Sequence, residues 1–139
     1  MRIMAIDYGD AHTGIAISDP TGFLAGFTTV ITAYRPEVVA ERVAVLAKEH
    51  GVEELVLGHP KNMDGTRGPR AEKAEAMAEL LKEATGLPVV LWDERRTTID
   101  AHQILMTGGK NAKKRKKVVD AVAASLILEG YLTFKKSRG

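Results

Sequence analysis

The sequence predicts an α/β fold: a mixed five-stranded sheet, made of a three-strand antiparallel meander plus two parallel strands, with helices on both faces. Three observations predict it. The first 32 residues hold three β-rich runs with only short turns between them. The pattern then alternates between helical and strand stretches. Each later strand follows a helix, so a right-handed crossover should lay it parallel to its neighbour.

Arg2-Ile3-Met4-Ala5-Ile6-Asp7 reads as a buried strand, and Tyr8-Gly9-Asp10 as a turn. Thr13 to Ser18 forms a second strand, Asp19-Pro20-Thr21-Gly22 a second turn, and Phe27 to Thr32 a β-branched third strand. Pro36 suits a helix start. Val38, Val39, Val43, Leu46 and Ala47 lay down its apolar stripe, and Gly51 ends it. Glu54 to Gly58 is a short strand, and residues 59–69, with two glycines and two prolines, form a loop. Ala71, Ala74, Met77, Ala78 and Leu81 mark the next helix, which Gly86 stops; Val89 to Trp92 is the fifth strand. Thr97-Thr98-Ile99-Asp100 opens a helix to Met106, Gly108-Gly109 breaks it, and a last helix covers about 117–133. Residues 1–139 are expected to form one domain, with 134–139 as a flexible basic tail.

Composition narrows the class. Hydrophobic residues make up 45% and charged residues 27%, the balance of an ordinary globular protein. With no cysteine, disulfides and cysteine-based zinc sites or nucleophiles are excluded. No run approaches the roughly 20 apolar residues of a membrane span, and the N-terminus lacks a signal-peptide pattern. A cytoplasmic protein with no membrane partner is expected. The net charge of +2 hides an asymmetry. Residues 110–139 carry nine Lys/Arg against Asp120 and Glu129, while residues 1–109 carry eleven against sixteen acids. A basic end on an acidic body suits a polyanionic partner, most simply nucleic acid, though a solvated helix end would look the same.

Four acids stand where they could carry chemistry. Asp7 ends a strand that should lie centrally, and open α/β sheets gather ligands beyond the carboxyl ends of their strands. Asp93 and Glu94 follow the fifth strand; alternation sends two adjacent acids to opposite faces, so one of them should face such a site. Asp120 lies within Val118 to Leu128, a helix apolar almost all round. A charge there is costly unless a cation compensates it. Lys116 or Lys117, one turn away, could do so, and so could a metal ion. Three converging carboxylates would repel and take up protons without a cation. Mg²⁺ or Mn²⁺ suits this hard oxygen set. Two such ions about 4 Å apart would activate water and stabilise the leaving oxygen in phosphodiester hydrolysis. No two of the four histidines stand at helical i, i+4 spacing, which argues against zinc. The loop from His59 to Arg70 holds Asn62 and three cations suited to backbone phosphates.

These residues resemble the YqgF/RuvX family, related to the RuvC Holliday-junction resolvases. Four motifs carry the resemblance in order: Ile6-Asp7-Tyr8-Gly9 through Gly14-Ile15-Ala16-Ile17-Ser18-Asp19; Gly58-His59-Pro60-Lys61-Asn62-Met63-Asp64-Gly65-Thr66; Asp93-Glu94-Arg95 with Thr97-Thr98; and Lys116-Lys117-Val118-Val119-Asp120-Ala121-Val122-Ala123-Ala124. The resemblance implies an RNase H-like fold and a metal-dependent nuclease, with one or two Mg²⁺ or Mn²⁺ ions. The family is described as trimming the 5′ end of pre-16S rRNA, and also as resolving Holliday junctions. Its acidic triad carries over to Asp7, Glu94 (with Asp93 as the alternative) and Asp120. Lys113, Lys114, Arg115, Lys116, Lys117, Arg95, Arg70, Asn62 and His12 are the expected nucleic-acid contacts. Two departures stand out. His12 replaces a frequent Arg, so that phosphate contact would depend on pH. The fourth strand ends without the acid of the resolvase pattern.

The leading expectation is a nuclease acting on structured RNA, with branched DNA as the alternative substrate and a monomer or homodimer as the assembly. Two other classes compete. A non-catalytic nucleic-acid-binding module would share the charge asymmetry. An actin-like ATPase or sugar kinase would share the Asp-x-Gly hairpin, but it needs two such domains around its nucleotide.

Overall fold

Residues 1–19, 25–60, 68–93 and 112–138 are described by a computed structural model, with side chains except at 25, 112–121 and 136–138. The strands are β1 (Arg2–Asp7), β2 (His12–Ser18), β3 (Ala25–Thr32), β4 (Val52–His59) and β5 (Val89–Asp93). The helices are α1 (Pro36–His50), α2 (Pro69–Thr85) and α3 (Ala112–Arg138). The helix expected over 97–106 lies outside the described residues.

The sheet has the order β3-β2-β1-β4-β5. β1–β2 and β2–β3 pair antiparallel, β1–β4 and β4–β5 parallel. This is the expected meander plus two crossover strands. β1 therefore lies at the centre. At the far end of β2 the ladder with β3 shifts register between Ile17 and Ser18. Ser18 is buried, and its Oγ accepts the Ile3 N–H at 2.9 Å.

Both faces of the sheet are covered, which is why β1 and β4 read as continuous apolar runs rather than alternating ones. On one face Met4, Ile6, Ile15, Ile17, Leu55 and Leu57 pack with Val39 and Val43 of α1 and Ala74, Met77 and Leu81 of α2. On the other, Ile3, Ala5, Ala16, Val56 and Trp92 pack with Ala124, Ile127, Leu128, Tyr131 and Leu132 of α3. Gly51 and Gly86 end α1 and α2 in left-handed conformations.

The last helix departs from expectation at both ends. It starts at Ala112, so the basic residues 113–117 form its first turns instead of a preceding loop. It also runs to Arg138, through the segment expected as a tail. The reason lies in its packing. Tyr131 and Phe134 ring-pack on Trp92 with centroids 5.8 and 5.7 Å away, and Lys135 Nζ reaches Glu54 Oε1 at 3.1 Å.

Candidate active site

β1, β4 and β5 run parallel and end at one edge of the sheet. Asp7 is the last residue of β1. Strand alternation puts it on the side of Ile3 and Ala5, facing the α3 layer. Its cross-strand partner is Gly14. Gly14 thus sets no side chain beside the Asp7 carboxylate.

The turn after Asp7 is set by Gly9. A Cβ there would lie 2.4 Å from the His12 carbonyl oxygen, a distance no side chain tolerates. The tight turn starts β2 at His12, two residues before Gly14 and so on the same face as Asp7. The His12 imidazole stands 3.3 Å from Thr32 Oγ1. Tyr8 points the other way and packs against the α1/α2 core. Burial raises the pKa of its hydroxyl; Asp10 and Glu37 add to the rise and Lys73 opposes it.

β4 ends at His59, whose register partner is Asp93 of β5. His59 follows Leu55 and Leu57 in the alternation, and Asp93 follows Val89, which packs in the same core. Both therefore belong to the α1/α2 face, opposite Asp7. Two strand spacings, about 10 Å, separate the backbones of β1 and β5. His59 is buried, and its Nε2 lies 2.6 Å from Glu75 Oε2 of α2. Reading residue 59 as loop missed this pair. The signal was a Glu beside Ala71, Ala74 and Ala78 on the buried stripe of α2.

The C-terminal half of α3 packs over β4 and β5, touching Trp92 and Glu54. Tyr131 donates its hydroxyl proton to Glu54 Oε1 at 2.9 Å, near the start of β4. Burial, with that hydrogen bond second and the Glu54 charge third, pushes the Tyr131 pKa up to about 12. Residue 120 lies on the backbone of this helix, one turn before the docked Ala124.

Asp7, His12, Arg70 and Asp93 are thus placed. Glu94, Arg95 and Asn62 lie outside the described residues. Asp120 and Lys113, Lys114, Arg115, Lys116 and Lys117 are described as helix backbone only. Among the described residues no three His, Asp or Glu side chains converge as a metal site. No described helix is long and apolar enough to cross a membrane. Arg70 is exposed on the first turn of α2, beside the turn Tyr8-Gly9-Asp10. Lys73, one turn on, bonds Asp10 at 3.3 Å.

A family model described as "RuvX: Holliday junction resolvase" matches residues 1–134. A protein of Halothermothrix orenii named "Putative pre-16S rRNA nuclease" is 46% identical over 135 residues, covering 97% of this chain and 96% of its own. A Listeria monocytogenes protein of the same name is 48% identical over 134 residues, with coverages of 95% and 97%. Among solved structures, Thermus thermophilus RuvC in complex with Holliday junction substrate superposes with a TM-score of 0.65 at 14% identity. The match covers 99% of this chain and 96% of that one. The fowlpox virus resolvase, also solved with Holliday junction DNA, gives 0.55 at 10%, covering 99% and 97%. At these identities the likeness concerns the fold, which is the RNase H-like one expected.

Proposed function

This chain belongs to the RuvX family, and on that footing we propose that it is a divalent-metal-dependent nuclease that trims the 5′ end of pre-16S rRNA. The observation that carries the reading is Asp7: a carboxylate at the end of the central strand, on the α3 face, with a glycine opposite it. Full-length relatives named for pre-16S rRNA nuclease activity support the substrate.

Asp7, Glu94 and Asp120 would hold the metal. The strand alternation favours Glu94 over Asp93, because Asp93 falls on the face away from Asp7. Carboxylate oxygens suit Mg²⁺ or Mn²⁺. When bound, such an ion supplies a more acidic water and charge stabilisation at the scissile phosphate. The protein's own part is to position. β1 fixes Asp7, the Gly9 turn carries His12 to the same face, and α3 would bring residue 120 to the strand ends. Arg70, Asn62, Arg95, His12 and the 113–117 cations would hold the backbone phosphates, which orients the substrate without reading its bases.

The direct test is cleavage of precursor 16S rRNA with Mn²⁺ by the parent chain and by Asp7→Asn. We expect cleavage by the first and none by the second, with RNA binding retained. Undiminished cleavage by Asp7→Asn would sink the reading. A second reading, resolution of branched DNA, has support in the family description and in the two resolvase structures. A four-way DNA junction in the same assay separates the two. A resolvase also needs paired active sites, so a stable dimer would accompany junction cleavage.

A further inference from the structure

Arg70 and Lys73 sit where a cation costs stability. They are neighbours on one face of α2 at i, i+3 spacing, so they repel each other. Arg70 also lies in the first turn of the helix, where the dipole disfavours positive charge. Lys73 is offset by Asp10, 3.3 Å away, with the two side chains 62% and 88% exposed. Such an exposed pair adds little to stability and opens easily. Arg70 has no ion pair among the described residues. Local rules broken in this way tend to mark function.

The position fits that view. Tyr8, Gly9, Asp10, Arg70 and Lys73 line one small cleft. It lies directly beyond the end of β1, on the α1/α2 side, while Asp7 faces the α3 side. The turn that follows Asp7 thus forms one wall of this second, cationic shelf. A strand laid across the sheet edge with one phosphate at Asp7 would pass over the shelf with a neighbouring phosphate.

We propose that Tyr8, Arg70 and Lys73 form a subsite for a backbone phosphate flanking the scissile one, and that Asp10 holds Lys73 in reserve until the substrate displaces it. The proposal rests on the nuclease reading for its substrate. Its contacts are to phosphate, so they apply to RNA and DNA alike.

Binding without cleavage tests it. The chain is titrated in EDTA with a fluorescein-labelled RNA hairpin carrying the 5′ precursor end of 16S rRNA, from 0.05 to 0.3 M salt. Lys73→Ala and Arg70→Ala should each flatten the slope of log K against log salt by about 0.9 and weaken binding roughly eightfold at 0.1 M. Asp10→Asn should tighten binding about threefold by freeing Lys73, and this gain should vanish in Asp10→Asn/Lys73→Ala. A Lys73→Ala slope equal to the parent's overturns the proposal. A gain from Asp10→Asn that survives without Lys73 also does, because Asp10 would then act by repulsion alone. Melting temperatures of the four variants within a degree or two of the parent are expected, and a loss of binding that tracks a loss of fold counts against the subsite. Cleavage with Mn²⁺ is read separately. Its absence from the parent chain, with the binding pattern intact, removes the nuclease reading and leaves the phosphate subsite standing.

Discussion

Gly9 shows how much of the site rests on single positions. Its Cβ would meet the His12 carbonyl at 2.4 Å, and the obstacle is backbone, which cannot swing aside as a side chain can. Gly9→Ala should therefore cost about 1–3 kcal/mol and distort the turn that carries Asp7, lowering both the urea midpoint and the cleavage rate. An unchanged midpoint would mean that the turn adjusts freely. Tyr131 makes a second prediction, this one about pH. Its neutral form is favoured in the fold, where its pKa is raised from 10.0 to about 12. The folded chain therefore holds a proton that the unfolded chain releases between those values. The resulting stability is complete below pH 10 and is lost as pH rises toward 12. In absorbance titration at alkaline pH, Tyr131 should ionise as a late step, near pH 12. Tyr131→Phe should remove that late step and lower stability by about 1 kcal/mol. These two residues differ in how far the sequence revealed them. A glycine after Asp-Tyr announces a turn. Nothing in the string announces that Tyr131 meets Glu54, 77 positions earlier.

Among the elements, α3 carries Asp120, and the proposed site requires it to be docked. Its docked face puts Ala123 and Ala124 in a layer whose sheet side includes Ala5 and Ala16, small residues that let helix and sheet approach closely. Ala124, fully buried, has no room for a larger group. Ala124→Leu should lift the helix and cost about 1–3 kcal/mol. Cleavage should fall further than stability does, since residue 120 rides on the same helix one turn earlier. Differential scanning calorimetry paired with initial cleavage rates checks this. Equal, small losses in both would uncouple α3 from the site. The strands were legible because apolar runs and turn residues punctuate the first 60 positions. The helix ends were not. The basic run at 110–117 reads as loop because like charges repel and weaken an isolated helix, whereas the five cations at 113–117 are helical here, in an element held by tertiary packing of its apolar half. In the same way Phe134-Lys135 looks like a tail until Trp92 and Glu54 are seen beneath it.

For the whole molecule, the chemistry follows from topology. Three parallel strands deliver their ends to one edge, β1 at the centre, and the last helix covers the face of the sheet on which Asp7 lies. Two of the three expected ligand positions, Asp7 and Asp120, were legible individually as charges in apolar surroundings. That Asp7 lies on the face covered by α3 was not, because β1, with both faces buried, has no polar side to reveal its orientation. The alternation of β5 puts Asp93 on the face away from Asp7, which supports Glu94 as the proposed ligand. The basic end of the chain now forms the first turns of α3. Binding should therefore weaken steeply with salt, by about 0.9 in log–log slope for each phosphate contact. The central claim is that Asp7, Glu94 and Asp120 hold one metal site, and Mn²⁺ binding by isothermal titration calorimetry tests it most directly. Asp7→Asn, Glu94→Gln and Asp120→Asn should each weaken Mn²⁺ binding at least tenfold, roughly the loss of one ligand, while Asp93→Asn leaves it unchanged. Parent-like Mn²⁺ affinity in Asp7→Asn, with the fold intact, would contradict the account.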